Sequence, residues 1–305
     1  MRILITGASG LLGLNLALEI ANQHTVFGQV NNHPIKEETF SVLKANLLEP
    51  GTMEWLLEKS EPDWVIHCAA LADLDRCERD PNLARELNTV VPKKLAELCR
   101  NGGARLLHVS TDAVFDGMTG SYSEQDSPNP LSTYAKTKLQ AEHEVAEENP
   151  DAIIARVNLF GWSLRGNRSL AEFFFNNLAQ GNPIMGFVDV FFCPLLVNDI
   201  AHLFTSMLAK CLSGIYHVVS EDSISKYSFG VSIAERFGFN HNLIKPVSIA
   251  KAGLEAVRSP NLTLRIDKLI RDIDALIPTI STGIDHFYSL YQQGYPQRIQ
   301  QLAVD

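Results

Sequence analysis

Short apolar runs and helical patterns alternate along the first half of the chain. Residues 2–5 (R-I-L-I) have the length and character of a buried strand. Leu14, Leu16, Ala17, Leu18, Ile20 and Ala21 then cover much of a helix surface, as on a helix laid flat against a sheet. Further strands are predicted over 24–30, 40–47 and 63–68, with a short helix over 51–59. Leu83, Leu87, Val90, Val91, Leu95 and Leu98 recur at helical spacing behind Asp80 and Pro81, so one helix is expected over 80–100. Strands five and six fall at 104–109 and 152–157. Between them lies a loop at 116–132, carrying Gly117, Gly120, Pro128 and Pro130, and then a helix containing Tyr134 and Lys138. This order predicts an α/β fold, a Rossmann-type doubly wound parallel sheet.

Near residue 160 the alternation loosens. A helix starts near 197 with Asp199 in its first turn, a strand follows at 214–219, and residues 260–268 lead to an amphipathic tail. Phe173-Phe174-Phe175 is expected in the core. The expected organisation is a dinucleotide-binding domain over 1–160 and a smaller α+β substrate domain over 161–305, with elements free to interleave.

Composition narrows the partners. A net charge of −9 argues against nucleic acid, whose phosphates need a basic surface. No apolar stretch is long enough to span a bilayer. The first strand begins at residue 2, leaving no room for a signal peptide, and Cys68, Cys77, Cys99, Cys193 and Cys211 are odd in number and scattered. Reduced thiols in a cytoplasmic protein are expected, with no metal site, and the sequons at Asn167 and Asn261 are then accidents.

The chemistry starts in the turn after the first strand, T-G-A-S-G-L-L-G at 6–13. Gly7 lets the chain turn sharply, Gly10 leaves room for a pyrophosphate, and Gly13 lets the helix press against the sheet. The helix N-terminus then points unpaired N–H groups at the phosphates. At the end of the second strand an acidic residue would accept from a free ribose 2′-hydroxyl. Here stand Asn31, Asn32 and His33, with Lys36 beyond and no carboxylate before Glu37. NADP(H) is therefore preferred, with NAD(H) the alternative. The small residues Ala69 and Ala70 leave space at the fourth strand's end, and His67 inside that strand is expected in the core. Ser110-Thr111-Asp112, ending the fifth strand, reads equally as substrate contacts or as a turn or cap. Tyr134 and Lys138, four apart, share one helix face, and an ammonium there would favour the phenolate.

Together these stretches resemble the extended short-chain dehydrogenase/reductase family, and within it the dTDP-4-dehydrorhamnose reductase group. The likeness rests on residues 6–13, H-C-A-A at 67–70, S-T-D-A-V-F-D-G at 110–117, P-N-P-L-S-T-Y-A-K-T-K at 128–138 and R-S-P-N-L-T-L at 258–264. It implies reduction of a nucleotide-linked 4-keto sugar, with Tyr134 as proton donor and Lys138 holding the nicotinamide ribose and lowering the phenol pKa. Thr111 would bind the substrate oxygen. Gly7, Ser9, Gly10, Leu11, Leu12 and Gly13 would frame the diphosphate. Asn31, Asn32, Asn46, Leu47, Ala69, Ala70 and Asn88 would line the rest of the groove, and a homodimer is compatible with the resemblance. Ala113 departs from the group's tyrosine and from the glutamate of the related dehydratases, which disfavours dehydration and opens the sugar specificity. Asn46 stands where an aspartate is usual. A cofactor-binding regulatory subunit, similar to the non-catalytic subunit of methionine adenosyltransferase, and a nucleotide-sugar epimerase are the alternatives.

Overall fold

The computed structural model describes residues 1–251 and 259–304; Arg258, first residue of the last resembling stretch, lies outside them. The first half alternates strands β1 (Arg2–Thr6), β2 (Thr25–Val30), β3 (Ser41–Lys44), β4 (Trp64–His67), β5 (Arg105–Thr111) and β6 (Ile153–Val157) with helices. These are α1 (Leu11–Ile20), α2 (Thr52–Ser60), α3 (Leu74–Arg79), α4 (Pro81–Arg85), α5 (Val91–Gly102) and α6 (Thr133–Glu148). The second half has short strands β7 (Leu159–Phe160), β8 (Ile184–Phe187), β9 (Phe191–Phe192), β10 (Leu195–Leu196), β11 (Gly214–Val218), β12 (Ile224–Ser225) and β13 (Ile244–Val247). Around them lie α7 (Leu170–Ala179), α8 (Val197–Ala209), α9 (Lys226–Phe237), α10 (Asp267–Asp272), α11 (Ile280–Gln292) and α12 (Tyr295–Gln300).

Seven parallel strands form the central sheet in the order β11-β6-β5-β4-β1-β2-β3. The expected Rossmann-type sheet is present. From β1 the chain winds outward to β3 and then restarts at β4 on the other side. The switch point therefore lies between β1 and β4, where Thr6 pairs in register with His67. Ligands of such sheets bind outside the carboxyl ends at this place.

Several expected elements change on folding. The third strand is only Ser41–Lys44, because Ala45–Leu48 turns over the sheet end, with Leu48 N–H donating to Asn46 Oδ1 at 3.2 Å. The single helix expected over 80–100 breaks into α4, a π-turn at Glu86–Val90 and α5. Pro92 has no N–H to return to residue 88, and the widened turn accommodates it. Phe174 is buried, but Phe173 is exposed, since three successive helical residues cannot all face one core. The alternation stops near 160, yet the chain interleaves: β11 returns to the main sheet beside β6, and α8 packs on α1. Asn198 Nδ2 donates to Glu19 Oε1 at 2.6 Å across that helix contact. Asn15 on α1 donates to the Trp162 carbonyl at 2.9 Å and accepts from Tyr295 Oη at 2.7 Å, tying in the chain's end.

Helix α6 is fixed to the sheet by buried ions. Glu142 Oε2 accepts from Arg156 Nη2 at 2.6 Å and its other oxygen from Ser110 Oγ at 2.5 Å, with both ionic side chains almost fully buried. Ser110, Arg156 and His217 occupy adjacent register positions on β5, β6 and β11. Replacing one member leaves an uncompensated buried charge, so Arg156→Met should cost about 3–5 kcal/mol in denaturant unfolding. Arg156→Met combined with Glu142→Leu should recover much of that loss, because no buried charge then remains.

His286 on α11 lies 2.8 Å from Asp199 Oδ1 on α8, and the carboxylate raises the imidazole pKa above its usual 6.5. The raised value means that this contact stabilises the fold fully below pH 6.5 and is lost as pH rises through the folded value. Wild type minus His286→Gln stability, measured by urea unfolding from pH 5 to 8, should therefore shrink as pH increases.

Candidate active site

A cleft of about 1010 Å³ runs across the carboxyl ends of the strands at the switch point. That is at the top of the range of roughly 300–1,000 Å³ for small-molecule sites. Its floor is the glycine turn. Gly7 has φ +69°, and a Cβ there would stand 2.8 Å from the Ala69 backbone, so the turn admits only glycine. A Cβ on Gly13 would strike the Gly7 carbonyl, so Gly13 serves the closure of the turn itself rather than a sheet contact. Gly10 caps α1 without any side-chain hydrogen bond, whereas Ser132 and Ser169 cap α6 and α7. The first-turn N–H groups of α1 thus remain available to an anionic group.

Gly7, Ser9, Gly10, Leu11 and Leu12 line this end of the cleft, followed by Asn31, Asn32, Asn46 and Leu47 beneath β2 and β3. Ala69 and Ala70 line the middle. Gly13 and Asn88 do not line it. Asn88 is buried behind the 69–72 segment, where its Oδ1 accepts from Leu71 N–H at 2.8 Å and its amide donates to Leu71 O and Thr137 Oγ1. It braces the wall instead of forming it.

Gln29 was not singled out from the sequence. Buried in β2, it accepts from Gly7 N–H at 2.9 Å and donates to the Ala45 carbonyl at 2.7 Å, bridging the glycine turn to the segment after β3. An amide inside the strand T-V-F-G-Q-V was the available signal.

Thr111, Tyr134 and Lys138 converge on the cleft from β5 and α6. Thr111 fulfils the capping reading of its triplet and also lines the cleft. Its hydroxyl accepts from Ala113 N–H at 3.2 Å as a cap, donates to Asp112 Oδ1 at 3.1 Å, and still faces the cleft. Lys138 is buried; its Nζ donates to the Val109 carbonyl at 2.7 Å and contacts His108 Nε2 at 3.1 Å. Burial brings the amine down to about 8, partly offset by Glu142. His108 stacks on His67, which meets Thr6 Oγ1 at 2.7 Å, and burial holds both rings neutral well below their usual range. His67 is a core residue, as expected.

One electrostatic expectation is overturned. Burial pushes the Tyr134 phenol up to about 12; the neighbouring Asp112 charge adds to this and the Thr111 hydroxyl opposes it. Lys138 does not depress the phenol here, because its ammonium is drawn under β5 to Val109 and His108. Asp112 is itself buried and pushed up to about 6, although Asn158 Nδ2 donates to it at 2.5 Å. The cleft also takes in Arg76 and Asp73 at one side and Ser163, Arg165 and Arg168 at another, none of which the sequence singled out.

Gln29→Leu should leave the Gly7 N–H and the Ala45 carbonyl without partners. The expected loss is about 1 kcal/mol per partly buried group, the low end of the cost of an unmade bond, in chemical denaturation. A variant as stable as the parent would show that the bridge is dispensable.

Known proteins place this geometry in a family. Residues 1–293 match the model described as RmlD substrate binding domain. The chain is 32% identical over 292 residues to the probable low-salt glycan biosynthesis reductase Agl14 of Haloferax volcanii, covering 93% of this chain and 96% of that protein. It is also 32% identical to methionine adenosyltransferase 2 subunit beta of Danio rerio, over 88% of this chain and 84% of the relative. A dTDP-4-dehydrorhamnose reductase from Bacillus anthracis, solved in complex with NADP, shares the fold with a TM-score of 0.82 at 24% identity, over 94% and 98% of the two chains. The chain belongs to the RmlD substrate binding domain family, within the extended short-chain dehydrogenase/reductase fold.

Proposed function

We propose that the chain is an NADP(H)-preferring reductase of a nucleotide-linked 4-keto sugar. The observation that carries this reading is the convergence of Thr111, Tyr134 and Lys138 at the switch point, beside a glycine turn whose helix N-terminus is free for a diphosphate. The likeness to proteins named as reductases supports it.

When bound, the nicotinamide supplies a hydride to the substrate carbonyl carbon. The chain's own residues handle the proton and the growing charge on oxygen. A phenol pushed up to about 12 is fully protonated near neutrality, which is the state a proton donor needs in the reductive direction. Thr111 has one hydroxyl proton to give. It now serves Asp112, and in the reaction it would serve the substrate oxygen, which can only accept, while Ala113 N–H occupies one of the hydroxyl's two acceptor sites. Lys138, anchored by Val109, would hold the ribose next to the nicotinamide. The glycine turn would carry the diphosphate, while Asn31, Asn32, Asn46, Leu47, Ala69 and Ala70 would line the dinucleotide groove. The nucleotide sugar would enter on the Arg76 side of the cleft, toward Thr111 and Tyr134.

A second reading, a cofactor-binding regulatory subunit, is favoured by the equal identity to the methionine adenosyltransferase subunit. Turnover separates the two. Oxidation of NADPH on adding a 4-keto sugar nucleotide supports the reductase, and tight binding without turnover supports the subunit. Sugar interconversion without net NADPH loss would indicate an epimerase.

Tyr134→Phe should lower turnover by at least about 10²-fold, the usual scale for losing a positioned proton donor. Its NADP affinity, measured by calorimetry, should stay near the parental value; undiminished turnover would exclude the phenol as donor. Asp112→Asn removes the charge that helps to raise the phenol. The apparent pKa on the alkaline side of the reverse, oxidative reaction should therefore move down, which a pH–rate profile would register.

A further inference from the structure

We infer that Arg165 and Arg168, on the loop between β7 and α7, form a 2′-phosphate site facing the end of β2, and that this site makes the chain select NADP(H) over NAD(H). The inference rests on the proposed use of the cleft for a nicotinamide dinucleotide. In such a sheet the adenosine ribose lies beside the end of the second strand. That end carries Asn31, Asn32 and His33, all lining the cleft, and offers no acidic side chain to accept from a free 2′-hydroxyl. The opposite wall brings the charge. Arg165 Nη2 donates to His33 Nδ1 at 2.8 Å, spanning 132 residues of sequence. Burial holds the His33 imidazole below its usual range, and the nearby guanidiniums of Arg165 and Arg168 add to this. His33 thus stays neutral and accepts from Arg165, keeping the guanidinium aimed at the strand end.

Lys36, the cation suggested by the sequence, does not line the cleft. Its N–H is bound to the Leu302 carbonyl at 2.8 Å, and Ile35 bridges Ala303, so the chain's end holds this segment aside. Neither Arg165 nor Arg168 makes an ion pair among the described residues. The acidic side chains that do line the cleft, Asp73 and Asp112, sit at the starts of α3 and of the turn after β5.

The loop is built to hold still. Glu172, fully buried in the first turn of α7, accepts from Ser163 N–H at 2.7 Å, Arg168 N–H at 2.8 Å and Ser169 N–H at 3.1 Å. Ser163 Oγ donates to both of its oxygens, and Asn176 Nδ2 donates to the Gly166 carbonyl at 2.7 Å. One buried carboxylate therefore fixes the backbone on both sides of the two arginines. Two pre-positioned guanidiniums with no carboxylate partner match a phosphate dianion, which arginine binds through paired N–H donors. A bare 2′-hydroxyl would leave both charges unanswered.

Calorimetric titration of the full chain with NADP+, NAD+, 2′,5′-ADP and 5′-AMP tests this, using wild type, Arg165→Gln, Arg168→Gln and the double variant. The wild type should bind NADP+ and 2′,5′-ADP about 10- to 100-fold more tightly than their unphosphorylated counterparts, the scale of one or two charged hydrogen bonds. The double variant should lose that preference while its NAD+ affinity and melting temperature stay at the parental values. Its NADP+ binding should also depend less steeply on salt. Undiminished NADP+ preference in the double variant would overturn the phosphate site and leave the cofactor reading intact. Wild-type protein that binds neither dinucleotide would instead overturn the cofactor reading, and this inference with it.

Discussion

The site depends on how α6 is held against β5 and β6. Tyr134, Lys138 and Glu142 follow one another at four-residue intervals, so all three project from one face onto the sheet. Glu142 is locked by Arg156 and Ser110, and Lys138 by the Val109 carbonyl and His108. Burying these ions costs desolvation that only close geometry and further hydrogen bonds can offset. What the arrangement supplies is register. A helix anchored at two polar points along its length cannot slide or roll, so the phenol one turn earlier has a fixed height above the end of β5. Thr111, at the end of that strand, is then a neighbour by construction.

Several buried ionisable groups around the phenol are driven toward their neutral forms. Burial raises Asp112 and Tyr134, lowers Lys138, and keeps His67 and His108 uncharged. The same low polarity that penalises these charges would magnify the attraction between a developing substrate oxyanion and any fixed donor. A site with little resident charge is therefore well suited to stabilising a charge that exists only in passage. The Lys138 amine is part of this: it is held by the Val109 carbonyl and His108 rather than by a hydrogen-bonded carboxylate.

Local periodicity made the sheet legible. Runs such as R-I-L-I and A-R-L-L-H-V, separated by helical patterns, leave few alternatives to parallel strands with crossover helices, and the glycine spacing marks where the first crossover begins. The pairing of Tyr134 with Thr111 was legible for the same reason, since both follow from strand and helix ends in a known order. What failed were features set by contacts distant in sequence. Lys138 depresses no phenol because β5 offers it a carbonyl, which no local spacing reveals. Phe173 is exposed because the core takes only one side of α7. Asn88 hydrogen-bonds a loop seventeen residues away and stands behind the cleft wall. The π-turn at Glu86–Val90 had a local cause in Pro92, but a regular apolar repeat hid it.

The interleaving of the two halves bears on how the cleft works. β11 completes the main sheet and α8 lies on α1, so the second half of the chain is not an appended body that could swing as a unit. Asn15 makes the point at atomic scale. One buried amide in α1, one turn after the glycine loop, bonds both the Trp162 carbonyl and the Tyr295 hydroxyl. The next residue after Trp162 is Ser163, which Glu172 grips, and from there the arginine loop is fixed. The wall that faces the end of β2 is thus referenced, through a few hydrogen bonds, to the same helix whose N-terminus faces the diphosphate position. The diphosphate and the adenosine ribose of an extended dinucleotide would both be measured against one rigid element, which favours a cleft largely formed before binding over one assembled by closure.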